Sequence, residues 1–350
     1  MPETDTRPAL GARLAGNPLL WPLLALAALI VINVIATPSF LSLRMQDGHL
    51  YGNLVDIARN GAPVLLVALG MTLVIATRGI DLSVGAVVAI AGALACTIIA
   101  DSDSPDQLGT VLFAVTVAVG FSLVLGAWNG LLVAVFGIQP IIATLILMTA
   151  GRGIAMLITK GQIITISSAP YKEIGAGYWF GLPASIVIAG AMFALAALVT
   201  RKTALGLLIE SVGINPVASR LAGVRSRGII WVVYVFSGLC AAIAGLMISS
   251  NVTAADANSA GLYIEMDAIL AVVIGGTSLA GGRYSLTGTL IGAFVIQTLT
   301  TTVYTVGIAP SITLVFKALV VIAVCLLQSP VLQEKLRYRR TTKSQAGALA

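Results

Sequence analysis

Residues 62–100 read Ala62-Pro-Val-Leu-Leu-Val-Ala-Leu-Gly70-Met-Thr-Leu-Val-Ile-Ala-Thr-Arg78-Gly-Ile-Asp81-Leu-Ser-Val-Gly85-Ala-Val-Val-Ala-Ile90-Ala-Gly-Ala-Leu-Ala-Cys96-Thr-Ile-Ile-Ala100. Across this stretch only Arg78 and Asp81 carry charge, and they stand together near its middle. The flanking runs, 62–77 and 83–100, are close to the roughly twenty apolar residues that a helix needs to cross a bilayer. Backbone groups in lipid must be satisfied within the segment, so such runs are helices. Membrane strands would be about ten residues long with alternating polarity, which these uniform runs lack. The stretch predicts two crossings joined by a tight polar turn.

Working outward, the pattern repeats at 19–37, 110–136, 140–159, 183–200, 229–248, 264–279, 286–306 and 311–327. Hydrophobic residues make up 58% of the 350 and charged residues 10%, where soluble domains carry roughly 25% charged. The predicted class is an all-α polytopic membrane protein with about ten transmembrane helices. Its membrane domain spans 19–328, between a tail at 1–18 and a basic tail at 329–350. The first run exceeds a signal peptide's apolar core of roughly 7–15 residues. Pro38 and Phe40 follow it in place of a cleavage site, so it is read as an uncleaved span.

The net charge of +6 does not indicate nucleic acid, because a nucleic-acid binder clusters its Lys and Arg on one polar face. Here they lie between apolar runs and report topology. With the N-terminus inside and ten spans, Arg201, Lys202, Arg220, Arg225, Arg227 and both tails fall on the cytoplasmic side, as the positive-inside rule requires. Arg44, Arg59, Lys160 and Lys172 remain outside, with the acidic loop Asp101, Asp103 and Asp106. Both termini are then cytoplasmic. Cys96, Cys240 and Cys325 sit in apolar runs and read as small buried hydrophobes. The single histidine, His49, is read as a solvated loop residue, so no metal site and no Ser-His-Asp triad is expected. G-x-x-x-x-G-K-[ST] is absent, so the chain is not expected to be an enzyme hydrolysing ATP through a P-loop.

Three polar clusters interrupt the apolar pattern. In the turn 76–85, Gly79 permits chain reversal and Asp81 with Ser83 can cap the following helix. It is either a plain capped turn or a gating element at a pore end. In the segment 201–227, Asn215 and Pro216 read as N-cap and first helical residue, and Gly223 as the stop. The helix between, 216–222, would have two turns with Val217 and Leu221 on one side. Alone it would not be stable, so it docks either on the membrane domain or on a cytoplasmic partner. The third cluster, Gly275-Gly-Thr-Ser-Leu-Ala-Gly-Gly282 with Gly288 and Gly292, suits close helix packing and a broken helix. Within spans, Arg152, Asn129, Glu265 and Asp267 either pair or snorkel locally, or line a polar path for hydroxyl-rich cargo.

Gly79-Ile-Asp-Leu-Ser-Val-Gly85 resembles the GGIDLSVG motif of the permease subunits of ribose-type (monosaccharide) ABC importers. Gly213-Ile-Asn-Pro-Val-Ala-Ser-Arg-Leu-Ala-Gly223 resembles their cytoplasmic coupling loop, and the third cluster their late glycine motif. Further stretches, among them Gly70–Thr77, Ala143–Met148 and Ser237–Gly245, resemble the galactofuranose-importing members. The resemblance implies a ten-helix permease in a bacterial inner membrane, paired with a second permease chain, the same or homologous. Partners would be two cytoplasmic ATP-binding subunits and an extracytoplasmic sugar-binding protein, with surrounding lipid. This chain would hold no cofactor, ATP and Mg belonging to the ATPase. Glu210, Gly213, Asn215, Pro216, Ala218, Arg220 and Gly223 would couple to that ATPase. Arg78, Gly79, Asp81, Ser83, Asn129 and Arg152 are candidates for a path or gate. Arg78 departs from the family, which usually has glycine there. The competing class, an ion-coupled secondary transporter, would place carboxylates at the midplane beside discontinuous helices, whereas the acids here lie mostly at span ends.

Overall fold

The computed structural model describes residues 19–307 and 312–328. The tails 1–18 and 329–350, with their basic residues, lie outside the described residues. In chain order the helices are α1 (Leu20–Ala36), α2 (Asn53–Ala76), α3 (Val84–Ala100), α4 (Leu108–Ala134) and α5 (Pro140–Ile158), then α6 (Ala169–Gly175) and α7 (Ala184–Lys202). They continue with α8 (Leu205–Ile214), α9 (Pro216–Leu221), α10 (Ser226–Val252), α11 (Ile264–Ile274), α12 (Leu286–Thr305) and α13 (Thr313–Gln328). Each predicted apolar run holds a helix, and among the described residues six helices, α2, α4, α5, α7, α10 and α12, are long and apolar enough to cross a membrane.

Among the described residues, strand structure is confined to three short antiparallel ribbons. β1 (Arg44–Gln46) pairs with β2 (His49–Tyr51), β3 (Ile164–Thr165) with β6 (Ala254–Ala255), and β4 (Tyr178–Trp179) with β5 (Leu182–Pro183). All three lie at one end of the bundle. The turn 77–83, α8, α9 and the glycine-rich segment 275–285 lie at the other.

Two boundaries differ from expectation. α2 begins at Asn53, well before residue 62, and carries Pro63 in its interior. A proline inside a membrane helix is tolerated where neighbouring helices enclose it, and Pro63 is buried. Arg59 therefore belongs to a helix, with its guanidinium on Asn251 Oδ1 of α10 at 2.6 Å.

The run 264–279 does not cross as a single helix. α11 has 11 residues, so it rises about 16 Å against a hydrocarbon core of about 30 Å. The chain reaches it by a route of its own. After α10 comes Thr253 in the left-handed region (φ 52°), then β6. Residues 256–263 next run back along α3. Ala255 of β6 packs on α3 in one cluster with Ala91, Ala95 and Cys96, and Gly261 lies against Val88 and the Gly85 carbonyl nearer the start of that helix. α11 starts only after Tyr263, also left-handed (φ 64°).

The interior is set by α2, α10 and α12, which are buried over most of their length, while α4, α5 and α7 are peripheral. α10 packs on α2, α3 and α4, and α12 on α1, α2 and α11. Small residues allow these contacts, because without a hydrophobic driving force between helices close van der Waals approach holds a membrane bundle together. A Cβ on Gly245 of α10 would overlap the Val88 carbonyl of α3, and one on Gly292 of α12 the Ala271 carbonyl of α11. One charged pair adds to this: Lys317 Nζ of α13 lies 2.8 Å from Asp267 Oδ2 of α11.

Gly245→Ala is expected to destabilise the protein by about 1–3 kcal/mol through overpacking. Gly190→Ala, on an open face of α7 with nothing near its added Cβ, should be neutral or slightly stabilising. Thermal unfolding of the two purified variants in one detergent checks the contrast.

Candidate functional site

The three polar clusters converge at one end of the bundle. The Gly282 amide donates to the Ala76 carbonyl at 2.9 Å. Gly213 packs so closely on that carbonyl, and on the Gly282 amide, that a Cβ there would overlap both. The Arg78 guanidinium donates to the carbonyl of Ile214, the last residue of α8. The end of α2, the end of α8 and the glycine-rich segment thus form one joint.

The turn itself is built differently from the sequence expectation. The Arg78 amide donates to the Ile75 carbonyl and the Gly79 amide to the Val74 carbonyl, each at 2.9 Å. This is the Schellman pattern, whose left-handed position normally takes glycine. Here Arg78 fills it, with φ 65°. The reversal is therefore made by Arg78 and not by Gly79. What Gly79 supplies is space, since a Cβ there would sit 2.6 Å from the Tyr234 hydroxyl. An arginine in place of the usual glycine carries a backbone cost of about 1–2 kcal/mol, set against its charge-assisted bond to α8.

Asp81 and Ser83 do not cap α3 through a side chain. Asp81 Oδ1 accepts from the Ser83 amide at 3.1 Å and the Ser83 hydroxyl at 2.6 Å, and Oδ2 from the Ser237 hydroxyl of α10 at 2.8 Å. Asn129 Nδ2 of α4 donates to Ser83 Oγ at 2.8 Å, and Thr144 Oγ1 of α5 to the Ile80 carbonyl at 3.2 Å. Asp81, Ser83, Asn129 and Ser237 are all buried. Burial pushes the Asp81 carboxyl up from its ordinary range, and the bonds from Ser83 and Ser237 pull it back. The network fastens the turn to α4, α5 and α10 and, in this conformation, is closed to solvent. Ser237, Tyr234 and Thr144 were not singled out in the sequence, because a lone hydroxyl in an apolar run carries no signal of its own.

α9 is held at both ends by its own chain. Asn215 Oδ1 accepts from the Val217 and Ala218 amides at 3.0 Å each. At the far end Gly223 is left-handed (φ 88°). Its amide donates to the Arg220 carbonyl at 3.0 Å and the Val224 amide to the Ser219 carbonyl at 2.9 Å, a second Schellman cap. Ser226 Oγ donates to the Pro216 carbonyl at 3.1 Å, fixing α9 to the start of α10. Ser219 faces inward, while Ala218 and Arg220 are exposed, as are Val217 and Leu221 at 63% and 87%. Among the described residues, the apolar side of α9 packs on no other part of the chain. Glu210, on α8, lines a cavity of about 330 Å³ with Arg201, Tyr284 and Ser285.

Arg152 is apart from this joint. Its Nη1 donates to the carbonyls of Ala257 at 3.0 Å and Ala260 at 2.6 Å, both on the segment leading to α11.

A bundle of apolar helices with one rigid, exposed two-turn helix on a backbone joint is the architecture of a transporter's membrane subunit. Residues 53–325 match the family described as branched-chain amino acid transport system / permease component, and the chain belongs to that family. It is a multi-pass membrane protein of the ABC sugar-import permeases. It is 49% identical to the galactofuranose transporter permease protein YtfT of Escherichia coli (strain K12), over 88% of this chain and 90% of that one. It is 41% identical to the fructose import permease protein FruF of Bifidobacterium longum (strain NCC 2705), over 97% and 96%. Identity to the ribose import permease protein RbsC of Escherichia coli (strain K12) is 34%, over 88% and 92%. No solved structure matches.

Arg78→Gly is expected to be more stable than Arg78→Ala by about 1 kcal/mol, since alanine keeps the left-handed cost and glycine removes it; paired denaturation curves check the order. Asp81→Ala, which strands buried hydroxyl and amide donors, should cost about 2–3 kcal/mol, and Asp81→Asn less, by the same measurement.

Proposed function

We propose that this chain is the transmembrane subunit of an ATP-driven monosaccharide importer, with galactofuranose as its cargo. The observation that carries the reading is α9, a two-turn helix capped at both ends whose Val217 and Leu221 face outward. A short helix with an exposed apolar side needs a partner surface. In this reading the partner is an ATP-binding subunit, α9 faces the cytoplasm, and ATP with Mg is bound and hydrolysed on that subunit. Ala218, Arg220 and Glu210 present side chains to it. Asn215, Pro216, Gly213 and Gly223 hold α9 in place. The chain crosses a bacterial inner membrane about ten times, with cytoplasmic tails at 1–18 and 329–350, and works beside a second permease chain and an extracytoplasmic sugar-binding protein.

Mechanically, a push on α9 reaches α8 and from there the joint at Ala76 and Arg78. From that joint the turn 79–83 leads through Asp81 and Ser237 to α10, and through Ser83 to Asn129 on α4. Two helices and the turn would move together, and the bundle would open to one side or the other. No bond in the sugar is made or broken. An ion-driven carrier would leave α9 without a task. The choice of galactofuranose rests on the relative at 49% identity.

The deciding experiment is uptake of labelled galactofuranose into proteoliposomes holding this chain, its ATPase and its binding protein. Uptake should require all three, and Leu221→Asp should lower it about tenfold or more, the scale of an interface hot spot, without loss of thermal stability. Uptake by this chain alone under an ion gradient would overturn the reading.

A further inference from the structure

The segment 256–263 joins β6 to α11 without being a helix. It follows Ala255, which shares a core cluster with Ala91, Ala95 and Cys96 of α3, and at Gly261 it lies against Val88 and Gly85 of the same helix, whose apolar run is read as a span. Irregular backbone at membrane depth is tolerated only where it is buried in protein or lines a water-filled cavity. Parts of this segment are buried, but Asn258 and Ser259 are exposed and Tyr263 is 43% exposed. The Asn258 amide group has no hydrogen-bond partner among the described residues, so it is an unspent donor and acceptor at a depth where lipid supplies neither.

The rest of the segment is fixed from behind. Asp256 Oδ1 accepts from the Asn258 and Ser259 amides at 2.9 and 3.3 Å. Arg152 of α5 donates to the carbonyls of Ala257 and Ala260. The Asp256 bonds shape a local turn, the Arg152 bonds hold its backbone against α5, and the side chain of Asn258 is left exposed. The left-handed residues Thr253 and Tyr263 close the segment at its two ends, as strained positions do where surroundings over-determine a conformation.

We propose that residues 256–263 line the aqueous path and that Asn258 and Tyr263 are contacts for the passing sugar, with Arg152 as the residue that positions them. The inference rests on the importer reading above. An amide with a free donor and acceptor matches a hydroxyl-rich solute, and the ring and hydroxyl of Tyr263 offer an apolar face beside a polar tip. Two contacts of this kind hold cargo weakly, which suits a site that must release it. A seam between two permease copies would instead favour small residues that let backbones approach, and an unpaired amide fits that poorly.

The test uses the complete transporter in proteoliposomes, with labelled galactofuranose as the probe. Asn258→Ala and Tyr263→Ala should lower the sugar moved per ATP hydrolysed about fivefold or more, while stimulation of the ATPase by the loaded binding protein stays within about twofold of wild type. Arg152→Ala should do the same and Arg152→Lys should recover part of the loss, which general destabilisation would not produce. Independently of turnover, Asn258→Cys in a Cys325→Ser background should react with a charged thiol reagent about tenfold faster than the buried Ala268→Cys. Saturating galactofuranose should slow that reaction; the native Cys96 and Cys240 are buried. Normal sugar moved per ATP in both alanine variants, or no reaction at residue 258, overturns the inference while leaving the importer reading intact. A disulfide between two copies at that residue, with no protection by sugar, would make the segment a chain–chain seam and also overturn it. Uptake that needs no ATPase would instead overturn the importer reading itself.

Discussion

The carbonyl of Ala76 is where the α9 end of the molecule is decided. A buried helix-end carbonyl must find a donor, and this one finds the amide of Gly282, more than two hundred residues later in the chain. That contact forces the end of α2 against the glycine-rich segment. The same carbonyl leaves no room for a side chain at Gly213, so the end of α8 is drawn into the same place. Three backbones meeting at one oxygen tolerate no slack. Gly213 and Gly282 are therefore required by one hydrogen bond, and the end of α8, from which α9 follows, is held by it.

The second layer of the joint is polar and closed. Asp81 accepts all its bonds from Ser83 and Ser237, and Ser83 in turn accepts from Asn129. Such a network is firm where it is satisfied: both Asp81 oxygens have donors, whereas the buried Asn129 Oδ1 has none among the described residues. It ties a turn between two spans to helices far apart in sequence, so a displacement at the turn is shared by the bundle. This is the opposite of a freely hydrated gate. In the conformation described, Asp81 and Ser83 are buried and hold the turn.

Much of this was legible in the sequence, for reasons that can be traced. The apolar runs gave the helices because lipid leaves the backbone no alternative. Asn215, Pro216 and Gly223 located α9 to within a residue, since its caps depend on neighbours in sequence. The length of α2 was misjudged because the run was drawn from apolarity and Asp56, Arg59 and Asn60 interrupt it, and Pro63 is tolerable inside the helix only through tertiary enclosure. The run 264–279 looked like one crossing because hydropathy is blind to where a chain turns back. Gly79 was credited with the reversal that Arg78 makes, because composition rarely points to an arginine in a left-handed position. The partners of Asp81, and the pairing of Asp267 with Lys317, depend on contacts between distant segments that spacing along a chain does not encode.

The capping of α9 bears on the thermodynamics of recognition. An isolated segment of six residues would spend nearly all its time unfolded, and docking would first have to order it. Here the ordering cost is met by Asn215, Gly223 and Ser226 when the permease itself folds. The free energy of association at Val217 and Leu221 is then available in full for holding the partner and for passing on its movement. A free peptide carrying the same residues would present the same chemistry and yet bind far more weakly, because it would arrive as an ensemble and not as a shape.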